Sequence, residues 1–99
     1  MTYINLPKNI NNLIKRLENK AKLDGYLNIE SGFKKLKPTT WFNLPQQLNS
    51  IMASIKQYQT VLLDGEAQDL IDEISEVHWF DYLSKVNKLV VLVEVIENI

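Results

Sequence analysis

The segments NLPKNINNLIKRLENKAKLDG (residues 5–25) and NLPQQLNSIMASIKQYQTVLLDG (residues 43–65) decide the fold, because both are punctuated alike. Each opens on Asn-Leu-Pro and closes on Asp-Gly. Asn is a favoured N-cap, Pro fits the first turn where its missing N–H loses no partner, and Gly accepts the left-handed conformation that ends a helix. Between these signals Leu6, Ile10, Leu13, Ile14, Leu17 and Ala21 recur every three or four residues, as do Leu44, Leu48, Ile51, Met52, Ile55 and Leu62. That period is helical. Two helices are expected, the first stopped at Gly25 and the second at Gly65. Their likeness follows from shared helix-boundary chemistry rather than from duplication.

Working outward, Leu70, Ile71, Ile74 and Val77 mark a third helix after Gly65. From Asp81 onward, Leu83, Val86, Leu89, Val90, Val93 and Ile96 again form a helical stripe. The β-branched run from Val90 to Val95 also suits a strand, but no other segment offers a strand partner, and a lone strand leaves its backbone unpaired. Helix is the expectation there, with Val91 and Val95 facing outward. Residues 28–37 read as a short helix weakened by Gly32 and stopped by Pro38. Trp41 and Phe42 are expected to fold back onto the bundle as a hydrophobic staple beside the Asn43 cap. The sum is an all-α fold: a small antiparallel helical bundle of three long and one or two short helices, with residues 1–99 as a single domain.

The apolar fraction of 45% and charged fraction of 23% fall in the globular range and argue against disorder. No cysteine is present, which removes disulfides, thiolate metal sites and a cysteine nucleophile. A reducing cytoplasm suits that composition. No basic region followed by an apolar run opens the chain, so no secretory signal is read. The longest aliphatic run, Leu89 to Val93, is far short of a membrane span. Frequent Asn, Lys and Ile suggest an AT-rich coding source, as in low-GC bacteria and their phages and mobile elements.

Charge divides by position. Residues 1–42 carry eight Lys or Arg against three acids, and residues 43–99 carry three Lys against nine acids. The near-neutral total therefore hides a polarised molecule. Asp69, Asp72, Glu73 and Glu76 are spaced to share one helical face, with Glu66 a turn earlier. Like charges three and four apart repel, so mixed signs would serve stability better. The acidic face is the expected partner-binding surface, directed at a protein with a basic groove, such as a nuclease or nucleic-acid-handling enzyme. Plain solvated surface is the simpler alternative.

Beside it lies Val77-His78-Trp79-Phe80-Asp81-Tyr82, in which Trp79 and Tyr82 are candidate anchors and Trp79 and Phe80 are also candidate core. An acidic face edged by aromatics resembles, in broad design, the small acidic helical immunity proteins that block nuclease bacteriocins. No motif of that family aligns, and no residue role is carried over. Catalytic chemistry finds no foothold: the one histidine, His78, lacks a Glu three residues before it, and neither a nucleophile elbow nor a phosphate-binding glycine loop occurs. No cofactor or metal is expected.

The rival surface is basic. Lys8, Asn12, Lys15, Asn19 and Lys22 form a stripe opposite the apolar face of the first helix, and Lys34, Lys35 and Lys37 cluster beyond it. Such a surface contacts phosphates, although Arg16 alone is available to read guanine. Lys8, Lys15, Lys22, Lys34 and Lys35 are the candidate residues of a nucleic-acid-binding regulator. Charge-driven homo-oligomerisation is a third expectation. The leading one is a non-enzymatic inhibitor or regulator of immunity, antitoxin or phage anti-defence type.

Overall fold

The computed structural model describes residues 5–60, 65–77 and 81–98, without the side chains of residues 59, 60 and 66. Among them are five α-helices: α1 (Leu6–Asp24), α2 (Leu27–Lys34), α3 (Leu44–Lys56), α4 (Gly65–Glu76) and α5 (Tyr82–Glu97). A 3₁₀ helix, Gln57–Thr60, continues α3. The expected all-α bundle is what forms, and the valine-rich C-terminal stretch is helix throughout.

The first helix forms and ends as its sequence dictates. Pro7 lies in its first turn, and Gly25 terminates it at φ 78°. The N–H of Tyr26 donates to the carbonyl of Ala21 and that of Gly25 to Lys22, which satisfies two carbonyls that a helix end leaves orphaned. Leu6, Ile10, Leu13, Leu17 and Ala21 are all buried. α1 packs along α2 on one side and α5 on the other, while α4 packs on α5. α5 supplies Val86, Leu89, Leu92, Val93 and Ile96 to the same core. Val91 is exposed as expected, whereas Val95 is half-buried against the core.

Three local expectations are corrected. The second helix does not run to Gly65: its α-helical part ends at Lys56, and Gly65 begins α4 instead of stopping α3. Tightening to 3₁₀ geometry repeats every three residues, and that brings Tyr58 beneath Ile55 and into the core. There its ring meets Tyr26 edge-to-face, with centroids 5.6 Å apart. The Asn43 side chain, second, does not cap α3. It turns back into the preceding loop, accepting from the Thr40 N–H at 2.7 Å and donating to the Pro38 carbonyl at 3.1 Å. Third, Trp41 and Phe42 do not staple onto the bundle: they are 51% and 96% exposed. The same loop bonds hold the turn in a shape that carries both rings outward.

Gly25 and Gly65 make opposite predictions. A Cβ at either would meet nothing within 4 Å, so backbone conformation alone decides. Gly25→Ala forces a left-handed alanine and is expected to cost about 1 kcal/mol. Gly65→Ala restricts the unfolded chain without strain and is expected to add up to about 1 kcal/mol. Urea unfolding of the two variants reads both signs.

Tyr58 makes another. Its hydroxyl is buried with no hydrogen-bond partner among the described residues, and burial pushes its pKa up to about 12. The native state thus holds this proton more tightly than the unfolded chain, whose phenol titrates near ~10, so stability is lost as pH rises from there toward 12. Tyr58→Phe is expected to be neutral or stabilising by up to about 2 kcal/mol at pH 7. It should also flatten the alkaline limb of a stability-against-pH curve.

Candidate functional site

α4 buries Ala67, Ile71 and Ile74 against the core and turns Asp69, Asp72, Glu73 and Glu76 to solvent. The 3.6-residue period alone produces this division. The four carboxylates do share an exposed face, but they are not equally free. Lys88 of α5 reaches Glu73 at 3.4 Å, which neutralises the edge nearest α5. Gln68 donates to Asp72 at 3.3 Å. Asp69 and Glu76 bond no described side chain. Glu76 also closes α4, where the helix dipole disfavours a negative charge, and no basic residue occupies that last turn.

Of the other expected contributors, Glu66 lies in the first turn of α4, but its side chain is outside the described residues. So are His78, Trp79 and Phe80. Tyr82, the first residue of α5, is half-buried against the core rather than projecting as a free anchor. Asp81, counted among the acids in the sequence, acts locally. Its carboxylate accepts from the Ser84 N–H at 3.2 Å and caps α5. An Asp just before the apolar stripe that starts at Leu83 was the available signal.

The basic half is dispersed by comparison. Lys8, Lys15 and Lys22 are exposed along α1, as the stripe required, and Lys34 and Lys35 are exposed at the end of α2. Acids interleave with them. Lys15 pairs with Glu18 at 3.0 Å, Lys20 with Asp24 at 3.2 Å, and Lys34 with Glu30 at 2.8 Å. The hydrogen bond to Glu30 raises the Lys34 ammonium above its ordinary pKa. Arg16 is committed elsewhere: its guanidinium grips Glu97 through two nitrogens, which raises the Arg16 pKa and lowers that of Glu97. The residue suited to reading guanine is therefore tied to α5.

Two concavities complete the surface. One of about 330 Å³ between α3, α4 and α5 has an apolar floor that includes Met52 and Ile74, with Lys56 and Lys85 beside it. Every polar side chain lining it is at least partly exposed, and Ser75 already donates to the Ile71 carbonyl. A shallower groove of about 360 Å³ runs between α1 and the stretch from Phe33 to Pro38, bordered by Lys15, Lys34 and Lys37. Among the described residues no cluster of His, Asp or Glu is arranged to hold a metal ion, and no helix is long and apolar enough to cross a membrane. No protein-family model, curated protein or solved structure matches the chain.

The acidic face opposes stability, so reversing one charge should help. Asp72 and Glu76 lie four apart and repel. Glu76→Lys is expected to raise stability by a few tenths of a kcal/mol at low ionic strength. The gain should vanish in high salt, as thermal unfolding at two salt concentrations will read.

Proposed function

We propose that this protein is a non-enzymatic binding protein that docks the outer face of α4 onto a basic surface of another protein and thereby inhibits or regulates it. Immunity, antitoxin and phage anti-defence proteins act in this manner, and a nuclease or other nucleic-acid-handling enzyme in the cytoplasm is the kind of target whose groove would accept the face. The observation that carries the reading is a contrast of charge purity. On α4 four exposed carboxylates stand together with Lys88 as their one described cationic partner, whereas acids within ion-pair distance break up the basic surface. A one-signed face repels itself in the free protein and is relieved when a positive surface covers it. It also steers approach, which gives fast and salt-sensitive association.

Asp72→Lys combined with Glu76→Lys is the decisive variant, since both residues are exposed and neither packs in the core. Tagged wild-type protein is expected to retain a specific protein from nuclease-treated extract of its source cells, with retention falling as salt is raised. The double variant should keep its circular dichroism and unfolding midpoint yet bind that partner roughly tenfold or more weakly. A control carrying Lys8→Glu and Lys22→Glu should bind normally. Equal retention by wild type and the α4 variant would sink the proposal.

A further inference from the structure

The turn at residues 37–43 is held more firmly than a surface connection needs. The Thr39 N–H donates to Asn11 of α1 at 2.7 Å, and the Thr40 N–H donates to Asn43 at 2.7 Å. Asn43 returns its own N–H to the Thr40 hydroxyl at 3.3 Å and its side-chain amide to the Pro38 carbonyl at 3.1 Å. Beneath the turn, Gln47 donates to the Lys37 carbonyl and to the Thr39 hydroxyl. Thr39 and Gln47 are both buried, so these bonds are shielded from water. What this framework displays is Trp41 and Phe42, two large apolar rings in solvent. Leaving such rings in water forfeits the gain of burying them, and a rigid support removes the ordering cost that a ligand would otherwise meet.

The surroundings indicate the ligand. Residues 31–63 contain Lys34, Lys35, Lys37 and Lys56 and no carboxylate. Pro38, three residues before Trp41, lines the groove bordered by Lys15, Lys34 and Lys37. Lys15 is paired there with Glu18 and Lys34 with Glu30, so Lys37 is the lysine of the groove that no described carboxylate neutralises. Three residues of chain span at most about 10 Å, so Trp41 lies within that reach of Pro38. Thr40, Gln46, Lys35 and Lys37 are exposed near the rings in sequence, beside the exposed Pro38 and Pro45, so polar and cationic groups are interspersed with the apolar ones. A protein hot spot is normally enclosed by tightly packed contacts. Isolated rings among lysines instead suit a chain that alternates flat apolar faces with negative charges. In a duplex those faces are hidden in the stack.

We propose that this turn is a stacking platform for single-stranded nucleic acid, with Trp41 and Phe42 receiving base faces and Lys35 and Lys37 contacting phosphates. It is independent of α4 and of the partner that α4 binds. Arg16 is held by Glu97, so binding should be tolerant of sequence. Fluorescence anisotropy with labelled oligo-dT and oligo-rU of about 16 nucleotides, a length within the site range of single-strand binders, tests it at low salt. Binding is expected for at least one of the two and to be weaker for a duplex of equal length. Trp41→Ala with Phe42→Ala should weaken binding on the order of tenfold or more. Lys35→Glu with Lys37→Glu should weaken it and flatten the salt dependence, by roughly 0.7 in log–log slope for each phosphate no longer neutralised. Asp72→Lys with Glu76→Lys should leave the ring dependence intact. Circular dichroism guards against misfolding, to which exposed positions are not prone. Three results would each overturn the proposal: no binding of either oligonucleotide, binding indifferent to the aromatic variant, or a dimer by light scattering that the aromatic variant dissolves while oligonucleotides fail to bind. The last would assign the rings to a second copy.

Discussion

The bundle depends on the burial of one stripe, Leu6, Ile10, Leu13, Leu17 and Ala21, on α1. Because those five positions recur at the helical period, they lie in one line along the helix, and α1 can be flanked by α2 and α5 along its length. The rest of the fold is arranged around that line. α2 must return along α1, which the Gly25 turn permits. α5 must present Val86, Leu89, Val93 and Ile96 inward, and the Arg16–Glu97 pair fastens its far end to the middle of α1. α4 then covers α5 with Ala67, Ile71 and Ile74. A helix that gives its apolar residues to one side leaves its charges on the other, so the core also determines where the charged surfaces fall.

Whatever rested on a repeated period was legible in the sequence. The stripes of α1, α4 and α5 needed only spacing, and the exposure of Asp69, Asp72, Glu73 and Glu76 follows from the same arithmetic. What depended on one side chain choosing among partners was not. Asn43 could cap α3 or bond the loop before it, and the loop prevailed because Thr40 and Pro38 present a donor and an acceptor at once. Gly65 could stop one helix or begin another. The end of α3 could continue as α-helix or tighten to 3₁₀ geometry, and in the tightened form the Tyr58 ring meets Tyr26. The outward placement of Trp41 and Phe42 was hidden for a similar reason. A hydrophobic staple is inferred from adjacency to a cap, and here the side chain expected to cap is used by the turn.

Pairing across elements was equally invisible. Composition showed a basic half and an acidic half, but not that Arg16 of α1 reaches Glu97 of α5 or that Lys88 of α5 reaches Glu73 of α4. The Lys15–Glu18, Lys20–Asp24 and Lys34–Glu30 pairs, three or four residues apart within one helix, follow from spacing. Glu18, Asp24 and Glu30 are the three acids already counted against the eight basic residues of that half; they disperse its charge, and Glu97 takes up one more positive charge at Arg16. The excess of negative charge on α4 is cancelled at one edge, by Lys88. Two halves of opposite sign and similar magnitude of charge differ in the surface they offer, and the proposal for the acidic one as a docking face rests on that difference.

Electrostatics then sets the relation between the two proposed surfaces. A polyanion is repelled by α4 and drawn to the lysines around Trp41 and Phe42; a basic protein surface experiences the reverse. No single ligand satisfies both, so neither surface competes with the other for its occupant. They also differ in mechanical character. The α4 face is helix, with exposed Asp and Glu carboxylates that no packing holds in place. The turn's backbone is held by buried and part-buried hydrogen bonds through Thr39 and Gln47, so the two rings are presented from a fixed support. Adaptable charge suits recognition of a shaped protein surface, where register must be found during approach. A fixed turn suits a flexible chain, because backbone ordering on the protein side then adds little to the entropy that binding must overcome.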